Sequence, residues 1–163
     1  MQFERGRTHG FGNSFDLAIE ICEHSGELEA SSILVDIHFC LGTIASETNA
    51  HDTSRFHKQR ALEIQMQTRQ KLDVVDLRLS RCYSEMGVAL TVDGNYDAAA
   101  EMFLESLSIE QQLGVYPYNW VAEVNLGLAY IQHGFLDKAD ELLTGTRKRR
   151  EQLFGKMDTE SYR

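Results

Sequence analysis

A single proline stands in the 163 residues, and aromatic residues make up only 9%. That scarcity leaves long helices uninterrupted, since a proline costs about 3 kcal/mol in a helix interior. No run of apolar residues approaches the ~18 that a membrane-spanning helix needs, and no apolar segment with the flanks of a signal peptide stands near the first residue. Basic residues are few as well: 16 Lys and Arg face 25 Asp and Glu, a formal net charge of −9. A chain of that sign is not built for general binding to nucleic acid or anionic lipid. The imbalance is uneven, with two basic side chains against eight acidic ones over residues 1–50. The three cysteines, Cys22, Cys40 and Cys82, are an odd number without CxxC spacing. Lacking a secretion signal, they read as buried or half-buried thiols of a reducing compartment, which points to the cytoplasm. Cys22 and Cys40 fall on consecutive predicted helices and so could be close in space.

Recognisable catalytic chemistry is missing too. Six histidines are present, but none forms HExxH and no two stand four apart on one helix. His51, Asp52 and His57 cluster at a turn, where Asp52 or Thr53 reads as an N-cap and a metal site is the weaker reading. The glycines of "GRTHGFGNS" follow no strand, so neither phosphate-loop motif fits. No nucleophile–base arrangement can be named. The sequence therefore predicts a protein that is not an enzyme and holds no cofactor or metal. The basic run Arg147, Lys148, Arg149 and Arg150 lies late in a predicted helix, where cations suit the macrodipole. Four consecutive helical residues also point around the cylinder and make no single patch.

What the sequence does contain is a repeat. "EMGVALTVDGNYDAAAEMFLESLSI" from Glu85 and "VAEVNLGLAYIQHGFLDKADELL" from Val121 align without a gap when Gly127 is set on Gly87. Gly134 then meets Gly94, Ala139 meets Ala99 and Leu143 meets Phe103. A weaker copy places Gly42 on Gly87, Asn49 on Gly94, Ser54 on Ala99 and Ala61 on Ser106. The glycines are spaced by 45 and 40 residues, a period that marks stacked units. Within each copy the apolar residues recur at threes and fours on both sides of a turn such as "VDGNYD". Asn95 is a candidate N-cap, and Gly94 supplies a residue that can take positive φ at a helix end. Each copy is then an antiparallel helix pair. A glycine inside a helix costs about 1 kcal/mol against alanine, which close approach of the facing helix justifies. "AIEIC" from Ala18 adds half of a further copy, as though the chain started within a repeat.

Gly87, Tyr96, Ala99 and Phe103, then Gly127, Tyr130 and Ala139, then Gly42 and Ala61, resemble the tetratricopeptide pattern. The long period and the Phe154–Gly155 step resemble the kinesin-light-chain variant, and "GNYDAAAEMF" resembles repeats in arrays behind fungal NLR-type regulators. The resemblance implies an all-α fold, a right-handed α-solenoid of about seven helices in one domain over 1–163. A partial repeat at 13–28 would precede repeats at 30–73, 74–117 and 118–157. The expected helices are Ser14–Ser25, Ala30–Glu47, Thr53–Lys71, Val74–Val92, Tyr96–Leu113, Tyr118–His133 and Leu136–Phe154. Asp158 and Thr159 resemble caps of a helix that does not follow, with a frayed segment from Lys156 onward.

The resemblance also implies a function. First helices of such arrays line a concave groove that binds protein segments. Counting from the glycines, groove positions fall on Asp36, Phe39, Thr43, Ser46 and Glu47, then on Arg81, Ser84, Val88, Thr91 and Val92, then on Val121, Val124, Leu128, Ile131 and Gln132. The candidate partner-binding residues are Phe39, Arg81, Val88, Val121, Val124, Asn125, Leu128 and Ile131. Asn125 matches the asparagine that bonds an extended peptide in kinesin-light-chain-type repeats, whereas Cys40 and Glu85 depart from it. A carboxylate clamp of the chaperone-binding kind is not built, since Arg81 alone could serve. The expectation is a non-enzymatic adaptor or scaffold that binds a protein or peptide, with no nucleic acid or membrane partner. Self-association through open repeat ends, a structural slice of a longer array, and an accessory to an enzyme pathway are the alternatives.

Overall fold

A computed structural model describes residues 5–25, 28–73, 75–115 and 120–160, with side chains within 14–155. Among the described residues there are seven α-helices and no strand: α1 Arg5–Ser25, α2 Leu28–Glu47, α3 His51–Leu72, α4 Leu77–Val92, α5 Tyr96–Gln112, α6 Val121–His133 and α7 Leu136–Glu160. The chain forms two compact units, Met1–Val74 and Val75–Arg163.

In the first unit α2 pairs with α3, and α1 lies against α2. Cys22 of α1 joins Ala30 and Leu34 of α2 in a buried cluster, with Ile19 and Ile64 packed on its edge. In the second unit α4 pairs with α5 and α6 with α7, while α6 also lies against α4 and α5. That junction is the core: Ala99, Phe103 and Leu107 of α5 meet Ala122, Leu126 and Ala129 of α6, with Val88, Leu90 and Tyr130 packed against them.

The helix-pair contact repeats with the sequence. A methyl added to Gly87 would lie 2.7 Å from Cε1 of Phe103, one added to Gly127 would lie 2.5 Å from Cδ2 of Leu143, and one added to Gly42 would lie 3.2 Å from Cγ of Lys58. The residue met comes sixteen positions after its glycine every time. In the first copy the buried stem of Lys58 does the work of a phenyl or leucyl side chain. The turns agree as well: Asn49, Gly94 and Gly134 all have positive φ (58°, 77° and 88°). Asparagine is among the side chains that tolerate that region. Gly87→Leu is therefore expected to destabilise the second unit by about 1–3 kcal/mol, because the added carbons have only the packed Phe103 ring to displace. A urea midpoint equal to that of the unmodified protein would show the glycine to be incidental.

Several boundaries differ from those expected. α4 begins at Leu77 because the Asp76 carboxylate accepts the Leu79 N–H at 3.0 Å and so caps it; the expected start at Val74, like that of α6 at Tyr118, lies outside the described residues. α3 starts at His51, behind Ala50, so neither Asp52 nor Thr53 is its cap. Asn95 does occupy the N-cap position of α5, without a side-chain hydrogen bond. α1 is longer than expected. α7 runs on to Glu160, so Asp158 and Thr159 sit within a helix instead of preceding one.

Candidate functional site

The expected groove residues separate into three groups. Phe39 is 5% exposed and belongs to the core of the first unit, a correction that follows from the apolar area an aromatic ring gains by burial. Val88 is half-buried and packs against the cluster that α6 completes. Arg81 is exposed, while Asn125 is half-buried on α6. The remaining four form a line on α6. Val121, Leu128 and Ile131 are 53%, 48% and 42% exposed, and Val124, half-buried, stands between them at helical spacing.

Next to that line α6 and α7 enclose an open cleft of ≈ 420 Å³, lined by Val124, Leu143, Thr146, Arg147, Arg150, Glu151 and Phe154. Val124, Leu143 and Phe154 are its apolar members, and Arg147, Arg150 and Glu151 its charged ones. Trp120, the residue before α6, and Phe154 set their rings nearly perpendicular, with centroids 5.7 Å apart. The Arg150 guanidinium lies over the Trp120 ring, 4.1 Å from its centroid, and is thereby held in place. Arg147 reaches toward Glu151 at 3.8 Å. Arg149 turns the other way and donates to the buried carboxylate of Glu123. The basic run is thus divided around the helix, as its consecutive spacing requires.

Buried polar residues were the part that sequence spacing did not reveal. Between α4 and α5, Ser80 Oγ donates to Glu110 Oε1 at 2.9 Å, and Ser106 Oγ lies 3.0 Å from Ser80 Oγ and 2.9 Å from Ser84 Oγ. In the first unit His38 and His57 bring their Nδ1 atoms to 2.9 Å, so that one ring donates and the other accepts. His57 therefore meets His38 of the neighbouring helix; His51 and Asp52 are exposed, and Asp52 pairs with Arg55 at 2.8 Å. No group of three or more His, Cys, Asp or Glu suited to a metal occurs among the described residues. Cys22 and Cys82 are buried and Cys40 is exposed, which separates Cys40 from the expected buried thiols. Burial pushes the Cys82 thiol up to about 12, so it stays protonated.

The histidine pair has a pH consequence. Burial, then the neighbouring His57 and Arg60, hold His38 down at about 4, against the opposing pull of Glu23, and His57 is lowered by burial against Asp16. A base whose folded pKa is depressed favours the folded state above its unfolded pKa. That stability is lost as pH falls, because between pH ~6.5 and ~4 the unfolded chain binds the extra proton. The first unit is expected to lose about 2–3 kcal/mol from pH 7 to pH 4. His38→Gln should flatten that dependence in urea titrations; an unchanged slope would contradict it.

No protein-family model matches the sequence, and no curated protein matches it. The fold has a solved counterpart. The crystal structure of BtubC (BKLC) from P. vanneervenii, a kinesin light chain-like protein of the tetratricopeptide type, superposes with a TM-score of 0.73 at 23% sequence identity. The superposition covers 92% of this chain and 59% of that one, so this chain spans little more than half the length of its counterpart. The likeness establishes a tetratricopeptide-like helical-repeat fold.

Proposed function

We propose that the protein is a non-enzymatic interaction module that binds a protein segment along the apolar line of α6. The observation that carries this is the exposure of Val121, Leu128 and Ile131 beside half-buried Val124. The same helix is apolar on its other side, where Leu126 and Ala129 are in the core. A helix apolar on most sides is normally covered on most sides. Leu128 also occupies the repeat position of Val88, which packs against the cluster that α6 completes. Asn125 and Arg81 are the polar side chains expected to contact a bound segment.

A randomised peptide library selected against the protein tests this. Selected peptides should carry apolar side chains and should lose about tenfold or more in affinity to Leu128→Asp, the scale of one buried side chain withdrawn from an interface. Because Leu128 is half exposed, the variant should keep its helical circular dichroism and thermal midpoint. Binding that is indifferent to Leu128→Asp, or a variant that unfolds, would remove α6 as the site.

A further inference from the structure

Position for position, the cleft on α6 and α7 reproduces the groove on α4 and α5. Leu128 stands where Val88 stands, Leu143 where Phe103 stands, and Thr146 where Ser106 stands. The α4–α5 groove holds a helix, because α6 packs there through Ala122, Leu126 and Ala129. Among the described residues nothing fills the equivalent cleft on α6 and α7. Its shape is therefore that of a seat for one more helix. Its charge is different, since Arg147 replaces Leu107 and Arg150 replaces Glu110. An occupant must bring an apolar stripe flanked by carboxylates.

α1 has those features. Leu17 and Ile21, one turn apart, are 57% and 61% exposed, while Ile19 and Cys22 on the other side hold the helix to α2 and α3. Asp16 and Glu20 are exposed on the same helix, in the acidic part of the chain. We propose that α1 of a second copy docks in the α6–α7 cleft, with Leu17 and Ile21 against its apolar members and Asp16 and Glu20 facing Arg147 and Arg150. The two surfaces differ, so each contact pairs unlike patches of the two copies. This rests on the reading of α6 as a docking face and names one occupant for it.

Sedimentation velocity over a concentration series tests the proposal on the full chain. The unmodified protein should gain mass with concentration. Leu17→Asp with Ile21→Asp removes the entering face, and Arg147→Glu with Arg150→Glu reverses the seat; each double variant alone should associate at least about tenfold more weakly. Leu17, Ile21 and Arg147 are exposed, and each variant should keep the helical circular dichroism of the unmodified protein. An equimolar mixture of the two variants should form a one-to-one complex and nothing larger, because each retains the surface that the other lacks. An unmodified protein that stays monomeric at every concentration overturns the proposal, as does a mixture no more associated than its parts. If library peptides still bind α6 in that monomeric protein, the self-docking fails while the interaction-module reading stands.

Discussion

Phe103→Ala is expected to lower the unfolding free energy of the second unit by about 3–5 kcal/mol, the cost of a buried phenyl ring and the cavity it leaves. Phe103 is 1% exposed, touches the Gly87 face of α4 and joins the cluster that seats α6. One side chain therefore serves both the contact within a helix pair and the contact between pairs. Two signatures distinguish this from the loss of an ordinary core residue. Amides of α6 should exchange faster with solvent, since stacked units stabilise their neighbours. Gly87→Ala should also cost less in the Phe103→Ala background than in the unmodified protein, because the cavity admits the methyl. Additive effects of the two substitutions would mean that they do not share one contact.

The second large effect is electrostatic. Arg149→Met should destabilise by about 3 kcal/mol, at the lower end of the range for breaking a buried ion pair. Glu123 is 3% exposed and Arg149 donates to its carboxylate, while the arginine side chain itself is 35% exposed and keeps part of its hydration. The penalty falls on the buried Glu123 carboxylate, which loses this charged donor. Glu123→Met together with Arg149→Met should then recover most of the loss, since an apolar pair of similar volume avoids the cost of burying charge. A double variant as unstable as the single one would show that the pair adds stability beyond neutralising Glu123. Chemical denaturation of the four proteins of this cycle gives the coupling directly.

The skeleton of the fold was legible because it rests on spacing. Gly87 with Phe103, Gly127 with Leu143, and the left-handed turns at Asn49, Gly94 and Gly134 follow from aligning the chain with itself. Buried polar residues were not legible in that way. Glu110, Glu123 and His38 have the character of surface residues, and partners on facing helices, Ser80, Arg149 and His57 among them, make burial tolerable. The cap at Asp76 was missed because the valines before it prolonged the helical pattern. The opposite error occurred at Asp158 and Thr159, whose capping preference is weaker than the continuity of α7.

Groove positions counted from the glycines were legible only in part. Counting gives a direction from the helix axis and says nothing of what covers it. Val88 and Leu128 share one direction, yet Val88 lies against the cluster that α6 completes and Leu128 is 48% exposed. The difference between core and candidate site thus comes from the neighbouring helix, and no property of the residue itself reveals it.

Methyl-resolved NMR of the protein, titrated with a peptide selected against it, separates these two surfaces in one spectrum. The methyls of Val121, Val124, Leu128 and Ile131 on α6, and of Leu143 on α7, should shift together and saturate together. Those of Val88 and Leu107, already packed at the cluster that α6 completes, should stay in place. Shifts confined to Ile33, Ile44 or other exposed apolar residues of the first unit, with the α6 methyls unmoved, would contradict a docking face on α6.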